Sequence, residues 1–165
     1  MSFYAVLTTV GLNKIAAALA GGPSVDIAEI ALGDVATVPD PALTALGNEV
    51  WRGSINSCDP VPGMPNRVRI EVIVPPADGG WTMREAGAFD ADGDLILIAR
   101  IPDSYKPDPA LDGASKTEYV RLVAELTNIA EAFALSVDST AVMATRQHVE
   151  EASVGSLIFA WSHFS

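Results

Sequence analysis

The sequence has little cysteine, few basic residues and no long apolar run, and each shortage excludes a class of protein. A single cysteine, Cys58, among 165 residues permits no intrachain disulfide, which excludes a disulfide-stapled scaffold. Lys and Arg number 10 against 21 Asp and Glu, and the resulting charge of −11 argues against binding nucleic acid or an anionic membrane surface. No apolar run reaches the roughly 20 residues of a membrane helix, and Met1–Tyr4 lacks the basic start of a secretory signal.

What is present predicts one folded domain that begins with a strand and a helix. Hydrophobic residues make up 49% of the chain, so disorder is not expected. Residues 3–7 read as a short strand, and Thr8 or Thr9 can cap the helix that follows. Apolar residues then recur at the helical period, and Gly21, Gly22 and Pro23 end the pattern.

The remainder favours antiparallel strands joined by short links. Residues 67–74 and 117–126 alternate between apolar and polar, and an Asp-Gly turn joins the apolar runs 81–89 and 95–101 into a hairpin. The fold class predicted is α+β, mainly an antiparallel sheet with the N-terminal helix packed on it and a short C-terminal helix. Other segments are predicted as follows: strands at 25–32, 48–58 and 133–137, loops at 35–47, 59–66 and 102–115, a helical turn at 43–46, a tight link at 128–132 and a helix at 142–153.

The sequence contains no convincing metal-binding site and no reactive cysteine. Asp90, Asp92 and Asp94 alternate as calcium ligands do, but the glycine and glutamate that a calcium-binding EF-hand loop needs are missing, so a hairpin turn is predicted. Cys58 lies beside Asp59, whose charge raises a thiol pKa, and is read as a core residue. The two histidines, His148 and His163, form no zinc-ligand spacing with it. No catalytic residue, metal site or cofactor is therefore predicted.

Two functional alternatives remain open at this stage. Glu71 and Glu85 could form the carboxylate pair of a glycan hydrolase, although ion pairs with neighbouring arginines on the sheet are the simpler interpretation. Trp51 and Trp81 could line the groove of a carbohydrate-binding module, and burial of both indoles would count against it.

The end of the sequence is unusually apolar. Chain ends are normally polar, yet residues 155–165 contain five large apolar side chains and a histidine. Three interpretations are open: the tail docks on a partner, the chain once continued further, or the tail packs on its own sheet. The residues predicted to form an oligomer or partner interface are Val142, Val149, Leu157, Ile158, Phe159, Trp161 and Phe164.

Several segments together resemble a known family. They are residues 7–12, 31–34 and 49–52, the long block 79–95, Tyr105-Lys106-Pro107 and residues 144–149. In this order and spacing they are similar to the N-terminal domain of tail fibre proteins, the tail-collar fibre family of contractile-tailed phages and phage-tail-like bacteriocins. The resemblance covers about residues 3–150, and its most specific part is the 79–95 block.

The resemblance implies a structural virion protein rather than an enzyme. It implies a homotrimer that attaches a fibre to the baseplate, with a baseplate wedge protein, further fibre segments and a chaperone as partners. It also implies a place in the virion tail, after assembly in the host cytoplasm. Residues 3–150 would be the attachment domain, and 151–165 an apolar tail or the start of a shaft or collar, with the C-terminal helix leading towards the trimer axis.

Overall fold

The computed structural model describes residues 5–125, 133 and 136–137, and within them the chain forms two antiparallel sheets and two short helices. The five-stranded sheet has the order β1-β7-β6-β2-β3, and the four-stranded sheet has the order β8-β5-β4-β9. The elements are β1 (Ala5–Leu7), α1 (Thr9–Leu19), β2 (Ile27–Gly33), β3 (Glu49–Ser54), β4 (Ser57–Val61), β5 (Met64–Val74), β6 (Trp81–Asp90), β7 (Leu95–Lys106), α2 (Pro109–Asp112), β8 (Glu118–Glu125) and β9 (Ser136–Val137).

Helix α1 begins where the sequence predicted and is fixed to β7 at that point. The Thr8 hydroxyl oxygen accepts a hydrogen bond from the Gly11 amide at 2.9 Å, and the same hydroxyl donates to the Leu95 carbonyl at 2.5 Å. A side chain at Gly11 would collide with the Ile96 backbone, so glycine allows the helix to approach the strand closely. Ile15, one turn further on, is fully buried in the core. Neither described helix is long and apolar enough to cross a membrane.

The main core lies between the two sheets. The alternation that predicted β5 is confirmed, since Val68, Ile70, Val72 and Val74 are all fully buried. Their neighbours on β8 and the facing residues of β2, β6 and β7 complete the same cluster. Because successive strand residues point to opposite faces, each of these strands supplies alternate side chains to the core. The expected antiparallel sheet is therefore present as two sheets that share one core.

The segment 48–58, predicted as one extended strand, is two strands in different sheets. Strand β3 ends at Ser54 on the five-stranded sheet, and β4 starts at Ser57 on the four-stranded sheet. The predicted loop 59–66 is also wrong, because β4 continues to Val61 and turns tightly at Gly63, where φ is +76°. Pro60 is tolerated because the described part of β9 pairs β4 only at Ser57 and Cys58, which leaves Pro60 on an edge.

Two further predictions need correction, the loop at 102–115 and the helical turn at 43–46 within the confirmed loop 35–47. Strand β7 continues past Pro102 to Lys106, because a bulge opposite Arg84 absorbs the irregularity, and the short helix α2 follows. The segment 35–47 contains no helical turn at 43–46. It crosses the outer face of the five-stranded sheet, where Leu43 and Leu46 pack on a second apolar cluster of Ala31, Phe89, Leu95 and Ile98. This segment is called the cover loop below.

The predicted last strand, 133–137, is described only at Phe133 and at residues 136–137. Phe133 is buried and bridges to Val25, and β9 comprises Ser136–Val137. The predicted link at 128–132 and the predicted C-terminal helix at 142–153 lie outside the described residues.

Candidate functional site

The two most specific segments of the family resemblance meet at one end of the β6–β7 hairpin. Lys106 is fully buried, and its ammonium donates to the carbonyls of Pro75 at 3.0 Å and Asp78 at 2.7 Å. A Cβ at Gly79 would overlap the carbonyl of Pro107, so only glycine fits there. The residues of these segments therefore stabilise the fold at this end of the hairpin.

Both tryptophans of the described region are half-buried rather than displayed. The Trp51 indole nitrogen donates to a carboxylate oxygen of Asp78 at 2.7 Å, and its ring lies over Gly53 on the same strand. Trp51 and Trp81 pack against the main core. These two rings therefore form no exposed aromatic platform on which a sugar could stack. This counts against the carbohydrate-binding alternative.

The two carboxylates considered for hydrolysis serve different structural roles. Glu71 pairs across the strands with Arg121, as the ion-pair interpretation expected. Glu85 does not follow that interpretation, since it is fully buried and accepts hydrogen bonds from the amides of Gly47 at 3.1 Å and Asn48 at 3.0 Å. A side chain on Gly33 would collide with Glu85, so Gly33 leaves room for it.

Glu85 is the residue whose role the sequence interpretation missed. Its neighbour Arg84 instead contacts Asp103 at 3.2 Å and the Asp34 carbonyl at 2.8 Å. Successive residues of a strand face opposite ways, so Arg84 could not have been its partner. That periodicity, together with the small residues Ala86, Gly87 and Ala88 that follow, is the signal of a buried position. Glu85 ties the end of the cover loop to the sheet.

The three aspartates of the β6–β7 turn surround a lysine. The ammonium of Lys14 on α1 lies 2.5 Å from Asp90, 3.0 Å from Asp92 and 2.7 Å from Asp94. The hydrogen bonds that the Lys14 ammonium donates, first to Asp90 and then to Asp94 and Asp92, raise the pKa of Lys14 well above its usual value. The turn is the predicted Asp-Gly hairpin, with Gly93 at φ +86°. Three carboxylates this close together could bind a metal cation. In this structure the Lys14 ammonium lies among them and supplies the positive charge.

Cys58 is an inert core residue, as predicted. It is fully buried, and burial, followed by the charges of Asp59 and Asp26, raises the pKa of its thiol to about 12. His148 and His163 lie outside the described residues. So do all seven residues of the predicted interface, namely Val142, Val149, Leu157, Ile158, Phe159, Trp161 and Phe164.

These contacts define a structural module, in which charged side chains hold loops, turns and strands in place. The chain belongs to the phage tail-collar fibre family, because the family model "Phage tail-collar fibre protein, N-terminal" matches residues 1–147. It is 37% identical over 155 residues to the "Probable tail fiber protein" of Escherichia phage P2. That match covers 92% of this chain and 23% of the P2 protein, so the chain spans under a quarter of its relative's length.

No solved structure matches the chain. The predicted family is confirmed, and with it the structural role of a phage tail fibre and a location in the virion tail.

Proposed function

We propose that this domain anchors a tail fibre to the baseplate of a contractile tail, as a homotrimer and without catalysis. The supporting observation is the family match over 1–147, which is to the N-terminal part of tail-collar fibre proteins. In this proposal a baseplate wedge protein is the docking partner. Further fibre segments and a chaperone are additional partners, and assembly takes place in the host cytoplasm.

The proposal divides the chain at residue 150. Residues 3–150 form the attachment domain, and 151–165 join the three copies or lead into the next fibre segment. The interface residues Val142, Val149, Leu157, Ile158, Phe159, Trp161 and Phe164 are the proposed contacts, because a closed symmetric interface would remove them from water. The net charge of −11 suits a basic docking surface, since complementary charge steers association.

The experiment uses tails of the phage that encodes this chain, prepared without their fibres. The purified chain should co-sediment with these tails, and sedimentation equilibrium should give a trimer, either alone or on the tail. Replacing Phe159 and Trp161 by Ser should lower the oligomeric mass. A chain that stays monomeric and leaves the tails unbound would rule out the anchor.

A further inference from the structure

The loop that follows β7 carries the most exposed large apolar side chain of the described residues. Leu111 on α2 is 83% exposed, and Tyr105 at the end of β7 is 52% exposed. Isolated apolar side chains are common on protein surfaces and need no explanation. Here the two stand in one short segment, residues 105–113, which is called the Leu111 knob below.

The knob is held rigidly by its own hydrogen bonds. One carboxylate oxygen of Asp112 accepts from the Tyr105 hydroxyl at 2.7 Å and from the Asp108 amide at 2.8 Å. Asp108 in turn accepts from the Ala110 amide at 2.9 Å, and Gly113 ends the turn at φ +65°. A loop that is already ordered loses little conformational entropy when it binds, so Leu111 is presented at low entropic cost.

The base of the knob is also fixed. The buried Lys106 ammonium donates hydrogen bonds to the carbonyls of Pro75 and Asp78. The Gly80 amide in turn donates to the Lys106 carbonyl at 2.7 Å. These hydrogen bonds fix the start of the Leu111 knob to the rest of the fold. They are made by a segment of the family resemblance, Tyr105-Lys106-Pro107. The sequence signal for the knob itself was present in the Asp-Pro-Ala-Leu-Asp-Gly run, in which a leucine stands between turn-forming residues.

The surroundings of Leu111 are acidic. Residues 103–113 contain three aspartates and one cation, Lys106, which is buried. Arg84 faces this end, but it is engaged by Asp103 and by the Asp34 carbonyl. Within residues 103–113 the charged side chains that reach water are therefore carboxylates, whose charge would be complementary to lysine and arginine.

We propose that the Leu111 knob is the docking point of this chain, and that it inserts into an apolar socket rimmed by Lys and Arg on a protein of the phage tail. The proposal rests on the anchoring function proposed above. A second copy of this chain is a poor source of that basic rim, because seven of the nine Lys and Arg among its described residues already pair with carboxylates. A basic partner removes Leu111 from water and neutralises Asp108 and Asp112 together.

The test compares three forms of the full chain for binding to fibreless tails. Leu111→Ser removes the apolar tip and leaves the hydrogen bonds of the loop intact. The matched control is Leu19→Ser, on the exposed side of α1, where the side chain is 40% exposed. Binding of Leu111→Ser should weaken roughly tenfold or more, as expected for truncation of an apolar anchor, while the control binds as the wild type does. Binding of the wild type should also weaken as salt is raised.

Each outcome has a distinct meaning. If the wild type does not bind the tails, the anchoring function itself fails. If the wild type and Leu111→Ser bind equally well, anchoring stands and the knob is overturned. If Leu111→Ser leaves tail binding unchanged and lowers the oligomeric mass, the knob contacts another copy of the chain, which also overturns the proposal. Equal melting temperatures of the three forms exclude misfolding as the cause of weaker binding.

Discussion

Replacing Glu85 by Gln tests whether a buried carboxylate holds the cover loop on the sheet. Each carboxylate oxygen of Glu85 accepts a hydrogen bond from a backbone amide, one from Gly47 and the other from Asn48. A hydrogen bond to a charged group contributes about 1.5–3 kcal/mol to stability. The carbonyl oxygen of Gln can accept one of the two bonds in a weaker, neutral form, whereas its amide group would face the other N–H and repel it.

The expected loss in the free energy of unfolding is therefore about 2–3 kcal/mol. For a chain of this length that corresponds to a fall in melting temperature of about 5–10 °C. Urea unfolding followed by tryptophan fluorescence measures the loss, because Trp51 and Trp81 pack on the core. Hydrogen exchange should accelerate at the amides of Gly47 and Asn48 in particular.

Glu71→Gln provides the matched control. Glu71 is a carboxylate on a neighbouring sheet, but it pairs with the partly exposed Arg121, where water screens the charges. Its replacement should change stability by no more than about 1 kcal/mol. The reasoning is refuted if Glu85→Gln destabilises the protein no more than Glu71→Gln, or if exchange at Gly47 and Asn48 is unchanged.

Two other sites give predictions of their own. Lys14→Ala should lower the free energy of unfolding by about 1–2 kcal/mol, because it leaves three carboxylates together, one of them on the buried Asp90. Calcium or a chelator should leave the melting temperature of the wild type unchanged, and a clear rise with calcium would show that the ion competes with Lys14. Cys58 should resist thiol reagents at pH 8 until the chain unfolds, and rapid labelling of the native protein would contradict its burial. Because its pKa rises from 9.0 to about 12 on folding, the unfolded thiol ionises first, and its contribution to stability falls as pH rises from 9 towards 12.

The parts of the fold that local chemistry determines were predictable. Strand β5 was found from its alternating valines, and the β6–β7 turn from Asp and Gly, because both signals act over a few residues. The cap of α1 at Thr8 belongs to the same group. In each case the residues that produced the prediction lie in the element itself or at its cap.

The features that depend on distant contacts were not predictable in the same way. The extended pattern of residues 48–58 continues through Ile55 and Asn56. No local signal therefore reveals that the chain passes from one sheet to the other between Ser54 and Ser57. Pro102 was read as the end of a strand, but a bulge opposite Arg84 lets β7 continue. The role of Glu85 required knowledge of where the cover loop returns, since its partners are 37 and 38 residues away.

The edges of the two sheets have a consequence for solubility. A free edge strand offers unpaired backbone groups to other chains and can seed aggregation where one protein accumulates. Among the described residues β1 offers a short edge of three residues, Ala5–Leu7, and β3 carries Glu49 and Arg52, which pair with each other at 2.8 Å. The Trp51 ring covers one face of β3 at Gly53, where no side chain stands. The two edges of the five-stranded sheet are thus protected, over the described residues, against pairing with a strand of another chain.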